Sequence, residues 1–368
     1  MTGDRLAGRA SRFYAAYFGV LGVFMPFAGP YLETRGLGAV GIGCVVAAFS
    51  LAKVLYSPWI GRLVDRGRSG RGLLLVHGLI AAVAAAMLPM ARDAWSLGAV
   101  MTIIGLGYGT ILPLVEAVVL SHAPSGYGRF RVWGSVGFVV LAVSTAALLD
   151  RFGVGLFPPL LAAALGITAA ASSAFDGAAA PSVPATTHAV PGPAWLLIAI
   201  LTVHQMTHGP YYAFFSIRLA DHGFGGLWIG ALWSVGVVAE MISFRAGDRL
   251  GRRLSWRTLL GLALALTPLR WAALCLEPSL WTIVPAQLGH AVTFGLAHIA
   301  GVQLVQQSVP VGAVRFAQSL YSGLAFGFGI VVGSALAGPL YAMSPATAFG
   351  GAAALSVLVA GAWFALRR

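Results

Sequence analysis

The sequence predicts an all-α polytopic membrane protein, with twelve transmembrane helices in two pseudo-symmetric six-helix bundles. Three observations carry that reading. Hydrophobic residues make up 58% of the chain and charged residues 9%, against roughly 45–50% and 25% in a soluble domain. The apolar residues fall in runs of about 20, the length that crosses a bilayer core as a helix. The basic residues gather in short clusters between those runs, as the positive-inside rule requires of cytoplasmic loops. A soluble fold, a disordered chain and a disulfide scaffold are excluded. The abundance of glycine, 48 residues, suits helices that must approach closely in lipid.

The first run, 13–32, follows Arg5, Arg9 and Arg12 and has no small-residue cleavage site. It reads as a membrane helix and not a removable leader. Runs at 40–60, 73–91, 95–120, 131–149 and 154–175 complete the N-terminal bundle, residues 1–175. Residues 176–194 then break the pattern. The stretch DGAAAPSVPATTHAVPGP is rich in Pro, Ala and Thr with no periodicity, and is expected to be a cytoplasmic linker. The C-terminal bundle, 195–368, holds runs at 195–217, 226–244, 258–276, 281–307, 315–341 and 345–366. The fourth, tenth and eleventh runs are long, so tilting or kinking is expected. Pro26, Pro30, Pro113 and Pro285 lie in or near helices, where neighbouring helices can satisfy the freed carbonyls.

Placing the N-terminus in the cytoplasm puts 17 arginines inside and four outside: Arg35, Arg92, Arg151 and Arg218. Both termini are therefore expected in the cytoplasm, with the protein in the inner membrane. The net charge of +12 is not a nucleic-acid footprint, because it is dispersed over short loops and follows no continuous face. Cys44 and Cys275 stand alone in apolar segments and imply no metal or disulfide. No cofactor is expected. The expected partners are a small-molecule solute, protons and lipid, with no nucleic acid and a functional monomer.

Half a chain after Arg131 comes Arg315, and at nearly the same offset Gly61 of GRLVDR meets Gly247 of GDRLGR. Each half thus carries six helices, a Gly/Asp/Arg stretch after the second and a basic, Gly/Ser-rich fifth helix. Parallel six-helix repeats are an architecture of secondary transporters. With Gly61, Arg62, Asp65, Arg66, Gly67 and Arg68 the chain resembles the major facilitator superfamily, whose signature is Gly-x-x-x-Asp-Arg-x-Gly-Arg; the match is partial, since Ser69 and Gly70 precede Arg71. YGRFRVWGSVGF, from Tyr127 to Phe138, is similar to the equivalent segment of the lactose permease-like and phenylpropionic acid transporter-like branch. HGPYYAFFSIRLADHG, LWSVGVVAEMISF and AQLGHAVTFGLAHIA resemble helices seven, eight and ten of the phenylpropionate group. The resemblance implies proton symport with alternating access.

An ionisable residue inside the membrane is by default a functional candidate. Glu240, in VVAEMISF, lies well inside the eighth run and is expected to couple protons, together with His290 and Arg270. The plain alternative is an ion pair between Glu240 and Arg270 that only ties two helices together. The resemblance further implies that Glu116 and Arg131 contact solute, with Phe138 where a sugar permease carries a stacking tryptophan. Lys53, the only lysine, either meets an anionic solute or snorkels to the cytoplasm. His204 and His208 are four apart on one helix face, and Gln287, His290, Phe294 and His298 share a stripe on the tenth run. Without an HExxH glutamate they are not a zinc site, and proton relay or solute hydrogen bonding fits imidazole better. His208, Gln287 and His298 are thus solute candidates, with Tyr17 and Tyr212 the aromatics expected to face the cavity. Tyr211 and Trp271 are expected at membrane interfaces. Gly61, Asp65 and Arg66, and Gly247, Asp248 and Arg249, are expected in cytoplasmic loops that switch between conformations.

The function expected is proton-coupled uptake of a small organic solute, an aromatic or other carboxylic acid first. A sugar or nucleoside permease and an efflux antiporter are the alternatives within the class. A membrane enzyme acting on lipid-linked substrates would need a nucleophile or metal motif, and no G-x-S-x-G or HExxH is present.

Overall fold

The computed structural model describes residues 3–65, 70–122, 127–175 and 190–366. Among the described residues the chain is helical and has no strand. The first six helices are α1 (Gly3–Thr34), α2 (Ala39–Asp65), α3 (Gly70–Met87), α4 (Ala94–His122), α5 (Tyr127–Phe152) and α6 (Phe157–Ser172). Next come α7, in two segments (Gly192–Met206 and Gly209–Asp221), α8 (Gly226–Arg253) and α9 (Trp256–Ala273). In α10 the segments Leu280–Leu288 and Ala297–Gln307 flank a π-helical stretch, Ala291–Leu296. In α11 a second π stretch, Ser322–Gly329, separates Val314–Tyr321 from Ile330–Met343. The last helix is α12 (Pro345–Ala365). Among the described residues, nine helices are long and apolar enough to cross a membrane, and Ala39–Ala52 is a shorter apolar one. The interrupted α7 and the arginine-bearing α9 complete the expected order.

The helices outrun the apolar runs. At α1 the helix begins at Gly3, well before residue 13, because hydropathy marks only the part in hydrocarbon while polar turns continue the helix in water. The same effect corrects the switch loops. Helix α2 continues through Gly61 to Asp65, and α8 through Gly247, Asp248 and Arg249 to Arg253. Arginine and leucine are good helix formers, and a helix end in water has its open carbonyls solvated. Arg66 lies outside the described residues, as do the side chains of Lys53, Gly61, Asp65 and Asp248 and residues 176–189 of the expected linker.

Two compact units form: Met1–Val183 with Gly223–Ser234, and Pro184–His222 with Val235–Arg368. In unit 1, α1 lies along α5 and α6, α2 along α4, and α3 against α4 and α6. A Cβ on Gly137 would collide with the backbone of Ala15, so the α1–α5 approach needs glycine there. Asp150 accepts from the backbone N–H groups of Gly226 at 2.8 Å and Leu227 at 2.9 Å, satisfying two orphan donors at the start of α8. In unit 2, Leu197, Ile198 and Leu201 of α7 pack with Leu260 and Leu264 of α9 and with Ala300 and Val305 of α10. Ser-x-x-Thr caps start three helices there: Ser255 accepts from Thr258 N–H, Ser279 from Thr282 and Ser344 from Thr347.

Each unit repeats one arginine cap. Arg35, after α1, donates to the carbonyl of Ala91 at 2.6 Å and of Pro89 at 3.3 Å, beyond the end of α3. Arg218, late in α7, donates to the carbonyls of Cys275 and Leu276 at 3.2 and 2.8 Å, beyond the end of α9. Gly36 and Gly223 then turn the chain at φ +82° and +80°, a region that favours glycine.

Gly209, at the restart of α7, faces the backbone of Gly333 so closely that a Cβ would collide with it. Backbone cannot yield as a side chain can. Gly209→Ala is expected to cost ~1–3 kcal/mol by overpacking, read as a lower unfolding midpoint of the detergent-purified protein, while Gly155→Ala, with open space around it, leaves the midpoint in place.

Candidate functional site

Two local departures from regular helix build the site in unit 2. Pro210 has no N–H to give to Met206, so α7 breaks, and the His208 N–H donates back to the Gln205 carbonyl at 3.1 Å. The break carries the His208 ring into the interior, where it is fully buried. In α10, the π stretch begins straight after His290. Such stretches insert an extra residue and loosen the carbonyl ladder. The Thr293 carbonyl accepts from His204 Nε2 at 2.8 Å, which ties α7 to that stretch.

Around these points the buried polar side chains converge. His208 lies 5.2 Å from His204, 6.3 Å from His290 and 4.9 Å from Trp271, ring centre to ring centre. Phe294 stacks on His290 at 4.7 Å, and Tyr212 stacks beside His208 at 6.2 Å. Glu240 Oε2 sits 3.6 Å from His290 Nε2, with the glutamate side chain 19% exposed and the histidine 7%. The two side chains face each other just beyond hydrogen-bond distance, and the carboxylate is the less buried of the two.

Arg270 forms no ion pair with Glu240, contrary to the helix-tying alternative. Its Nε donates to the Ala286 carbonyl at 2.8 Å, and Nη2 lies 3.5 Å from Gln287 Oε1. The guanidinium lies 4.7 Å from the centre of the Tyr211 ring and 4.4 Å from that of Trp271, in cation–π contact with both. Nη1 is buried without a hydrogen-bond partner, as are His204 Nδ1, His208 Nε2 and His290 Nδ1. A charged arginine buried to 4% exposure, with no carboxylate partner among the described residues, is costly, since two rings and a carbonyl only partly replace a counter-ion.

Tyr211 and Trp271 are not interface aromatics. Both are buried within the site; Gln287 Nε2 donates to the Tyr211 hydroxyl at 3.0 Å, and Trp271 Nε1 to Thr207 Oγ1 at 3.1 Å. Their adjacency to Arg270 and to the proline-broken HGPYY segment was the available signal, and composition statistics hide it. His298 stacks on the Phe294 ring at 6.5 Å and is boxed further by Phe244, Tyr321 and Phe326 at 6.0, 6.3 and 5.0 Å.

Unit 1 has its own polar group. The Arg131 guanidinium lies 3.6 Å from the Phe18 ring centre, with Tyr17 edge-on to Phe18 at 5.2 Å and stacked on Tyr108 at 4.2 Å. Glu116 and Arg131 are both half-buried. Phe138 is buried where α5 meets Gly22 of α1.

Membrane-length helices repeated in two units, one of them enclosing a buried arginine and imidazoles, define a membrane transporter. The chain belongs to the MFS_1 like family, whose model matches residues 8–350. It is 29% identical over 340 residues to a probable 3-phenylpropionic acid transporter of Escherichia coli K12, covering 89% of each chain. It is 26% identical over 337 residues to a maltose permease of Geobacillus stearothermophilus, covering 86% of this chain and 83% of that one. Its fold matches the crystal structure of the nucleoside transporter NupG with a TM-score of 0.82 at 18% identity, over 100% of both chains.

Thr207→Val would leave the buried Trp271 indole N–H without an acceptor, at a cost of ~1–3 kcal/mol. In the Thr207→Val, Trp271→Phe double variant the loss is expected to be smaller than the sum of the singles. Unfolding midpoints of the four proteins in one detergent check this.

Proposed function

We propose that this transporter takes up a small carboxylic acid together with a proton across the inner membrane, with both termini in the cytoplasm and the monomer as working unit. The observation that carries the reading is Arg270, a buried cation without a carboxylate partner among the described residues, beside the Glu240–His290 pair. A solute carboxylate at Nη1 supplies the missing counter-charge, and a proton on Glu240 or His290 offsets the remaining negative charge. The loaded site is then close to neutral, and a neutral site crosses between two access states more readily than a charged one. Gln287 and Tyr211 hold the guanidinium in place, and His208, Tyr212 and Phe294 surround the solute. Within unit 1, Arg131, Glu116 and Tyr17 are a separate group proposed for solute contact. The similarity to a probable 3-phenylpropionic acid transporter supports the choice of acid, and that to a maltose permease names the rival solute class.

Uptake into proteoliposomes of radiolabelled 3-phenylpropionate, maltose and uridine, with and without an inward proton gradient, tests the proposal. Accumulation of the acid alone, and only under the gradient, is expected; flux of the sugar or nucleoside in its place, or gradient-driven expulsion of the acid, overturns it. Glu240→Gln is expected to abolish gradient-driven accumulation while exchange of labelled for unlabelled acid continues. Arg270→Gln is expected to raise the half-saturating acid concentration about 30-fold or more, ~2 kcal/mol for a lost charge-assisted contact.

A further inference from the structure

The protonation pattern of the buried imidazoles narrows the solute further, resting on the acid-carrier reading above. A neutral imidazole has one N–H and one bare nitrogen, and the acceptor that each nitrogen faces assigns which is which. His204 Nε2 meets the Thr293 carbonyl at 2.8 Å, so its N–H is spent there. His208 Nδ1 faces the His204 carbonyl at 3.3 Å, and His290 Nε2 faces the Glu240 carboxylate at 3.6 Å. His204 and His208 therefore commit their protons to backbone carbonyls. What these two rings leave over is an acceptor, His204 Nδ1 and His208 Nε2, both buried and without a partner, as is His290 Nδ1. Beside them stands one partnerless donor on a charged group, Arg270 Nη1. The rings of His208 and His290 face each other at 6.3 Å, and both touch the aromatics that clasp Arg270, His208 through Trp271 at 4.9 Å and His290 through Tyr211 at 5.9 Å.

A plain carboxylate answers the guanidinium but has no hydrogen to offer the ring nitrogens. We propose that the solute is a hydroxylated carboxylate, its carboxylate taken by Arg270 Nη1 and a hydroxyl group donating to the bare nitrogen of His208. A site that hydrogen-bonds a hydroxyl discriminates strongly against the analogue without it, because its buried polar atoms are then left unpaired.

The test is gradient-driven uptake into proteoliposomes of acids in matched pairs: 3-phenylpropionate with 3-(3-hydroxyphenyl)propionate, benzoate with 3-hydroxybenzoate, and hexanoate with gluconate. The hydroxylated member of at least one pair is expected to half-saturate at a concentration roughly tenfold lower or less. In His208→Phe, which keeps the ring volume but offers no acceptor, that preference is expected to shrink below about threefold. Uptake of acids with no preference for the hydroxylated member of any pair, or a preference unchanged in His208→Phe, overturns the inference and leaves the acid carrier standing. If no acid is taken up under the gradient, both fall together.

Discussion

A single cation organises the C-terminal unit. Arg270 sits near the end of the mainly apolar α9 and cannot shed its proton as a buried lysine could. Its surroundings reflect that constraint. The Ala286 carbonyl, the Gln287 amide and the faces of Tyr211 and Trp271 take up most of the guanidinium's capacity. Trp271 is held in turn by Thr207, next to the break in α7, and Tyr211 by Gln287, just ahead of the π stretch of α10. Displacing the guanidinium would disturb α7, α9 and α10 together. Glu240 remains outside this arrangement and pairs with His290. That separation keeps the carboxylate out of an ion pair with Arg270, as the proposed symport requires.

The number and order of the helices were legible because lipid imposes one rule on every span: about 20 apolar residues with internal hydrogen bonding. The site was legible in its residue types, since Glu240, Arg270 and the histidines are anomalous in such segments. Its connectivity was not. Whether Arg270 meets Glu240 or Gln287 depends on helix rotation and on the extra residue of a π stretch, and a hydropathy pattern fixes neither. Pro210 was visible, but the break it causes and the burial of His208 depend on Gly209 meeting Gly333, far along the chain. Tyr211 and Trp271 were read as interface residues because the aromatic-belt rule is statistical, while their place is set by one cation.

The repeat shows what was duplicated and what was not. Arg35 and Arg218 cap corresponding helix ends, and Gly36 and Gly223 make corresponding turns. Pro26 and Pro210 stand at the same offset as Arg131 and Arg315. At that offset His204 and His208 correspond to Val20 and Phe24, and His290 to Leu106. The scaffold is therefore shared, whereas the imidazole cluster belongs to unit 2. The same offset also separates two uses of proline. Pro26 and Pro30 lie within a continuous α1, while Pro210 comes just after a break. In α7 the carbonyl that Pro210 frees, that of Met206, lies against Gly333 of α11.

In hydrocarbon a freed carbonyl has no water to turn to, so each irregularity must be answered by a side chain. His204 answers the π stretch of α10 through the Thr293 carbonyl, and His208 turns back to the His204 carbonyl beside the break in α7. These bonds hold irregular backbone in place, and they also fix which ring nitrogen keeps its proton. One set of contacts thus stabilises the departures from ideal helix and determines the chemistry presented to a solute. A histidine substitution here acts on both at once, so transport loss alone would not separate the two roles. Comparing solutes that differ by a single hydroxyl does separate them, because a purely structural defect weakens both members of a pair alike.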